Sequence, residues 1–389
     1  MCGRFDRYSK GSIVTDLAKL SFDYVPEKLV HRDEEIDTLF ELMRRVVDSN
    51  LAQNVLMKGP VGTGKTAVSN LFCKEFSHYA RNNDVNLRVA FVNCRQRNTE
   101  ASTLLKILSI YDPHFPDRGF STTEMMDILR KQLKKENSRL IVVLDEVDVL
   151  IKKKGSDLIY AFTRFAEDTS DPAPISLLLI SQKNILDMLD PSSLSTFKRS
   201  NVVNFGKYSK NQLKDILSHR VEIAFRTDTV EDEAIDLIAD IASQWGDARY
   251  AIEILEKAAM SANRGQKKIL CAEDVRLARA DTYSTFSPED LTQLERPVQV
   301  AFLGILRSLG SRAYTTTGEA EKEYRAVCEE YGDTPRGHTQ FWSYIQTLDA
   351  LGFITAERSG QGIQGKTTVI GLPDVPIKKV MSSLERNLR

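Results

Sequence analysis

No stretch of this 389-residue chain is apolar for the length of a membrane span, so no membrane partner is expected. Its five cysteines, Cys2, Cys73, Cys94, Cys271 and Cys328, form no C-x-x-C pair. That scatter speaks against a disulfide framework or a zinc site and suits reduced thiols in a cytosolic protein. Charge of neither sign dominates: 53 Lys+Arg stand against 54 Asp+Glu, a net charge of −1. A globally basic coat for nucleic acid is thereby excluded, whereas a local basic surface is not. The opening MCGRFDRYSKGS has no apolar core behind its charges, so no secretory signal is expected there. Internal repeats and low-complexity tracts are absent as well. What remains is an ordinary globular composition, 42% hydrophobic and 28% charged, long enough for two or three domains.

What is present is more specific. NVLMKG, from Asn54, has the pattern of a short buried strand, and TAVSNLFCKEFSHYA, from Thr66, spaces Val68, Leu71, Phe72 and Phe76 at helical intervals. Between them GPVGTGKT meets G-x-x-x-x-G-K-[ST], the Walker A pattern, at Gly59, Gly64, Lys65 and Thr66. Glycines let the backbone wrap phosphates with its N–H groups inward, and the helix N-terminus adds partial positive charge. Gly59, Pro60, Val61, Gly62, Thr63, Gly64, Lys65, Thr66 and Ala67 are therefore the expected cradle for ATP or ADP. Lys65 is expected on the β- and γ-phosphates and Thr66 on Mg²⁺. RLIVVLDEVDVL (139–150) is a strand apolar on both faces that ends in two acids, a Walker B arrangement. Such strands belong to covered parallel sheets, whose ligands bind at the carboxyl ends. Asp145 is placed to hold the Mg²⁺ water shell and Glu146 to polarise an attacking water.

Further strands are expected at 88–94, 175–182 and 201–206, separated by helices at about 102–110, 121–136 and 156–168. Alternating β and α predicts a parallel α/β sheet with a P-loop. From about 209 the strands stop, and four amphipathic helices follow. STFSPEDL reads as a linker. Helices at about 289–309 and 319–331 come next. A third is expected from Pro335, capped by Thr334, and closing at Gly352. FITAERSGQGIQGKTTVIGL then supplies two β-like segments around a glycine-rich turn, which is winged-helix order. The expected divisions are a tail (1–20), a nucleotide-binding base (21–208) with an insert at about 95–120, a helical lid (209–283), and a linker with a winged-helix domain (284–389).

On that third helix Phe341, Ile345, Leu348 and Gly352 fall on a buried face, with Arg336, Gln340, Ser343 and Thr347 on another. Arg336, His338 and Thr339 lie near its N-terminus, where helix-turn-helix readers touch DNA. Arg358, Gln361 and Lys366 flank the small residues of the wing, a composition suited to a minor groove.

A P-loop α/β domain followed by a helical lid resembles the AAA+ ATPases. YVPEKLVHRDEEID, FGKYSKNQLKDILSHRV, TTGEAEKEYRAVCEEYG and TLDALGFITAERSGQGIQGKTT narrow this to a resemblance to the archaeal origin-recognition and licensing initiators. The resemblance implies that Val30, His31 and Arg32 line the base pocket and that Tyr208 and Arg220 contact nucleotide. It places Arg249, in GDARYAIEIL, at sensor 2 on the γ-phosphate. Gln182 stands at sensor 1, where the family usually has Asn, with Asn184 two residues on. Arg199 is the nearest candidate for an arginine finger. Arg95, Arg97 and Arg118 flank the insert where the family carries a DNA-contacting helix.

The implied activity is slow ATP hydrolysis used as a switch. The implied partners are double-stranded origin DNA, the replicative helicase and other initiator copies on DNA, in the cytoplasm with the nucleoid. Two alternatives are a clamp-loader-type subunit, which would carry a Ser-Arg-Cys finger that is absent here, and a nucleotide-binding transcription regulator.

Overall fold

Strands with no polar alternation have to be covered on both faces. Five strands form one parallel sheet, β1 (Asn54–Lys58), β2 (Leu87–Asn93), β3 (Arg139–Asp145), β4 (Ile175–Ser181) and β5 (Val202–Asn204), in the order β2-β3-β4-β1-β5; the inner three, β3, β4 and β1, are of this covered kind, while edge strand β2 alternates. β4 thus lies between the strand that ends in the glycine loop and the strand that ends in the acids. The register sets Lys58 beside Ser181 and Asn93 beside Asp145, so these strands finish along one edge. This computed structural model describes residues 12–21, 24–152, 156–165, 175–185, 188, 201–280, 291, 294–310, 312–351, 353–358, 368–372 and 377–388.

Alternation along β3 shows why both faces are apolar. Leu140, Val142 and Leu144 join Leu104, Ile107, Leu129 and Phe162 in one core. Ile141 and Val143 join Leu39, Met43, Phe72 and Phe76 in another. The second layer comes from α1 (Asp33–Met43), α2 (Arg45–Asp48) and α3 (Lys65–Asn82). The first comes from α4 (Glu100–Leu108), α5 (Thr122–Glu136), α6 (Val147–Lys152) and α7 (Ser156–Thr163). Thr99 with Ser102 and Ser121 with Glu124 form capping boxes. They start α4 before the expected 102 and α5 one residue after the expected 121. α7 stops at Thr163 rather than running to 168.

The chain divides into two compact units, Val25–Tyr208, and Met1–Tyr24 with Ser209–Arg389. The second holds α8 (Lys210–Ala224), α9 (Asp232–Ser243), α10 (Ala248–Arg264) and α11 (Ala272–Ala280), the lid helices. Residues 12–20 fall within the expected tail and are built against these helices. Thr15 N donates to Ala224 O at 2.8 Å, and Arg226 N to Ile13 O at 3.0 Å.

The same unit continues as α12 (Arg296–Leu309), β6 (Tyr314–Thr316), α13 (Thr317–Tyr331), α14 (His338–Ala350), β7 (Thr355–Arg358), β8 (Thr368–Gly371) and α15 (Ile377–Leu388). β6 and α15 were not anticipated, and α12 begins at Arg296 rather than 289. The sheet is antiparallel in the order β6-β8-β7. Phe302, Tyr324, Phe341, Ile345 and Ile370 centre its core.

α14 corrects the expected start at Pro335. Gly337 is the N-cap, with extended backbone (φ −68°, ψ 167°). Its carbonyl accepts from Gln340 N and Phe341 N, and Arg336 N donates to Tyr324 Oη at 3.2 Å. A glycine and a backbone N–H already held by another helix put the start after Gly337. Gly352 lies outside the described residues.

Candidate functional site

The glycine loop is shaped by two close constraints. Gly64 is the N-cap of α3 at φ +87°, and a Cβ there would lie 2.9 Å from Tyr208 Oη. A Cβ on Gly59 would meet Phe205 O at 2.3 Å. One position demands left-handed backbone, and the other demands close approach. Within the loop, buried Thr63 donates its hydroxyl to Pro60 O at 2.9 Å. Buried Lys65 donates from Nζ to Gly59 O at 2.7 Å and Pro60 O at 2.5 Å. Pro60 and Val61 are exposed, Gly62 is buried, and Ala67 is half-buried on α3.

Thr66 Oγ1 donates to Asp145 Oδ2 at 2.9 Å, so the end of β3 meets the first turn of α3. A hydroxyl and a carboxylate oxygen at adjacent positions suit a hard cation such as Mg²⁺, which takes one or two carboxylates beside phosphate oxygens. Asp145 Oδ1 accepts from Glu146 N at 2.9 Å, and Glu146 itself takes φ 55°. Left-handed backbone on a non-glycine residue costs about 1–2 kcal/mol. Here it ends the strand and turns the carboxylate off the sheet. Glu146 Oε2 accepts from Arg95 Nε at 2.7 Å. Asn93 makes that pairing by taking Arg95 N at 2.9 Å and Gln96 N at 3.2 Å on its Oδ1, which turns the chain just past β2. Burial, reinforced by Asp145, Asp148 and Glu146, pushes the Cys94 thiol up to about 12, so it stays neutral beneath these acids.

At the end of β4, Ser181 is buried with its Oγ 3.3 Å from Asp148 Oδ1, and its carbonyl accepts from Gly59 N at 3.3 Å. Gln182 and Asn184 follow it, both exposed. The 29–32 turn brings half-buried Val30, His31 at φ 62°, and Arg32. Arg32 is buried and joins three segments. Its Nε donates to Thr63 O at 3.0 Å, Nη2 to Gly206 O at 3.2 Å, and Nη1 to Glu35 Oε1 at 2.7 Å and His31 O at 3.1 Å. Its guanidinium lies 3.9 Å from the centre of the buried Tyr208 ring. Burial raises the Tyr208 phenol against the opposing pull of Arg32.

In the second unit, α14 buries Phe341, Tyr344, Ile345 and Leu348 and exposes His338, Thr339, Gln340, Ser343 and Thr347. Phe341 stacks on Tyr324 with ring centres 4.8 Å apart, which fixes the helix on α13. His338 Nδ1 lies 2.6 Å from Glu321 Oε2. Arg336 is exposed just before the helix. Arg358 ends β7 opposite Thr368, while Gln361, Lys366 and Arg199 lie outside the described residues.

Three families match in succession: AAA domain over 49–189, Cdc6 AAA+ ATPase-type lid domain over 214–280, and CDC6 C-terminal winged helix domain over 289–383. An ORC1-type DNA replication protein 1 of Sulfolobus acidocaldarius is 30% identical over 381 residues, 97% of this chain and 95% of the relative. This chain belongs to the ORC1-type DNA replication protein family. The ORC1-type protein 1 of Archaeoglobus fulgidus is 29% identical over 384 residues, 98% of this chain and 93% of that one. Cdc6p from Pyrobaculum aerophilum matches in structure with TM-score 0.80 at 27% identity, over 97% of this chain and 99% of that one. Aeropyrum pernix ORC1 in complex with DNA matches with TM-score 0.64 at 29% identity, over 97% and 96%. The fold of this ORC1-type chain is accordingly an AAA+ α/β domain with a Cdc6-type lid and a C-terminal winged helix.

Within the ORC1-type base, Lys65, Thr66, Asp145, Glu146, Ser181 and Arg32 gather around the strand ends. Arg249 belongs to the other unit, exposed in the first turn of α10 behind the Asp247 cap. Arg220 is buried, with Nη1 donating to Lys19 O at 2.7 Å, Nη2 to Tyr24 O at 3.3 Å, and its guanidinium 5.1 Å from the Tyr24 ring centre. Its described contacts therefore hold the N-terminal segment. Arg95, read as a cation of the DNA-contacting insert, is paired with Glu146; Arg97 and Arg118 are exposed. The Arg95–Glu146 pair and the joining role of Arg32 were not foreseen. A cation two residues past the strand before Walker B was the only sequence signal for the pair, and it needed the β2-β3 register to acquire meaning.

Proposed function

We propose that this chain is an ATP-switched replication initiator. It binds double-stranded origin DNA through α14 and the wing, helps to load the replicative helicase, gathers with other initiator copies on DNA, and ends its active state by slow hydrolysis of ATP. The observation that carries the reading is the meeting of Thr66 and Asp145 at 2.9 Å beside Lys65, in an ORC1-type chain whose α14 leaves a polar face uncovered. Thr66 and Asp145 are the residues for Mg²⁺, which supplies neutralisation of phosphate charge. Lys65 holds the β- and γ-phosphates, and Val30, His31, Arg32 and Tyr208 line the base pocket. Gln182 orients the attacking water with Glu146, and Arg249 is the lid residue that answers to the γ-phosphate. Glu146 acts as general base only when Arg95 lets it go, which supports slow turnover. The relative solved with DNA supports duplex binding, with Arg336, His338, Thr339, Gln340 and Ser343 on the major-groove side and Arg358, Gln361 and Lys366 on the wing.

The test is salt-dependent binding of a labelled duplex from the organism's own origin region, with ATP, ADP and no nucleotide. Selective binding is expected, altered by nucleotide only while Lys65 is intact. An Arg336→Ala/Arg358→Ala protein is expected to bind weakly, with a salt slope shallower by about one for each phosphate no longer neutralised. Unselective binding indifferent to both arginines would overturn the reading and favour a loader-type ATPase.

A further inference from the structure

A linker between lid and winged helix is what residues 284–291 lead one to expect from composition, yet the two parts are joined elsewhere. Arg276 sits on α11 of the lid with its side chain wholly out of solvent. Its Nε donates to Leu372 O at 2.6 Å, and its Nη2 donates to Arg312 O at 2.6 Å and Ala313 O at 3.1 Å. Nη1 lies 3.4 Å from Glu273 Oε2, three residues back on the same helix. Leu372 directly follows β8, and Arg312 and Ala313 directly precede β6, its neighbour in the sheet. One lid side chain therefore grips the ends of two adjacent strands of the winged helix.

Other lid helices add to the grip. Glu233 Oε2 on α9 accepts from Ala313 N at 3.1 Å. Asp240 Oδ2 on the same helix accepts from Tyr314 Oη at 2.8 Å, and Asp240 Oδ1 accepts from Lys210 Nζ of α8 at 2.6 Å. The Lys210 ammonium lies 5.8 Å from the Tyr314 ring centre. On the winged-helix side the main partners are backbone groups, which cannot turn away as a side chain can. Burial pulls the Arg276 guanidinium down, with Glu273 opposing, but a guanidinium keeps its proton. A buried charge is tolerated only while its donors are met. Sliding the lid along the winged helix would leave that charge and three carbonyls buried without partners, and only full separation would hydrate them, so the joint is held or broken as a whole.

We infer that Arg276 makes the lid and the winged helix one rigid body, and that the lid therefore aims the recognition helix α14. Arg276 is then a positioning residue for DNA reading that touches no DNA. The rigid body stands on these contacts alone. Its consequence, that nucleotide at the base reaches DNA through the lid, rests on the function proposed above.

The experiment uses full-length protein with spin labels carried by non-canonical residues at exposed Asn211 of α8 and Glu329 of α13, read by pulsed dipolar spectroscopy. One narrow distance is expected, the same with ATP and with ADP. Arg276→Met should broaden it, and Tyr314→Phe, which removes a single hydroxyl and spares the fold, should broaden it less. Nucleotide affinity should stay unchanged in both. A distance that is broad in the parent protein, or that shifts between ATP and ADP, overturns the inference. So does Arg276→Met protein as narrow as the parent; should that variant not fold, an unchanged distribution in Tyr314→Phe with Glu233→Gln decides against it. In a parallel binding assay the ratio of duplex affinities with ATP and ADP should fall toward unity when Arg276 is replaced. A parent ratio already at unity, with the narrow distance intact, refutes the nucleotide switch and leaves the rigid body supported.

Discussion

Arg95 Nε lies 2.7 Å from Glu146 Oε2, a contact made across β2 and β3 where the two strands end together. It ties the carboxylate expected to polarise water to a cation on the neighbouring strand's loop. Both side chains reach solvent, with 67% and 28% of their surface exposed. An exposed pair of this kind is worth about 0–1 kcal/mol, and salt screens it. Arg95→Ala is therefore expected to raise steady-state phosphate release by up to about fivefold, with the gain shrinking at high salt. Glu146→Gln should abolish release in either background. Unchanged or slower release by Arg95→Ala protein would remove the restraint argument.

Lys65 and Thr66 give a prediction read without turnover. ATP with Mg²⁺ at about 100 times its Kd should stabilise the fold by about 2.7 kcal/mol, seen as a rise in melting temperature. Lys65→Ala should erase the rise. Thr66→Ala should leave a smaller one that no longer depends on Mg²⁺, tested by adding EDTA.

Arg32 predicts a stability defect coupled to a binding defect. Its four donations, one of them the ion pair with half-buried Glu35, leave partners stranded if the guanidinium goes. Arg32→Ala should cost about 3–5 kcal/mol by denaturant titration, and nucleotide affinity should fall as the loop loses its tie at Thr63. Arg32→Lys should recover only part of either, because one ammonium cannot serve all these acceptors. A near-neutral Arg32→Ala protein would show that the loop holds its own shape.

Glu319 predicts an acid limit for the winged helix. Thr316 N–H, Arg312 and the Thr316 hydroxyl bond its carboxylate and hold it down at about 2, against an ordinary 4.5. A depressed carboxyl contributes stability above its unfolded value and loses it as pH falls through the folded one. The contribution should thus be whole above about pH 4.5 and drain away toward pH 2. With 48% of the side chain exposed, solvent screening keeps it below about 1 kcal/mol. Glu319→Gln keeps the capping geometry without the charge, so its unfolding profile should be flatter across that window.

The local parts were legible because their causes are local. An apolar run such as Arg139–Asp145 has few choices other than a covered strand. Glycine, lysine and threonine at 64–66 need only their neighbours to make a phosphate turn. The 3.6-residue spacing of Phe341, Ile345 and Leu348 gave the buried face of α14 directly. The helix start was misread because a proline at 335 looks like a first helical residue until Tyr324, on another helix, takes the Arg336 N–H.

Thus the sequence by itself determined most element types, β6 and α15 apart, together with the glycine loop, the two acids and the order of domains, since each is written in residues close along the chain. Tertiary structure alone decided that β4 lies between β1 and β3, that Arg95 meets Glu146, that Arg32 joins three segments and that Arg276 grips two strands of the winged helix. The partners in those contacts are up to 174 residues apart, as Arg32 and Gly206 are. Spacing along a chain cannot choose such partners, because packing and burial select them only once the layers have closed.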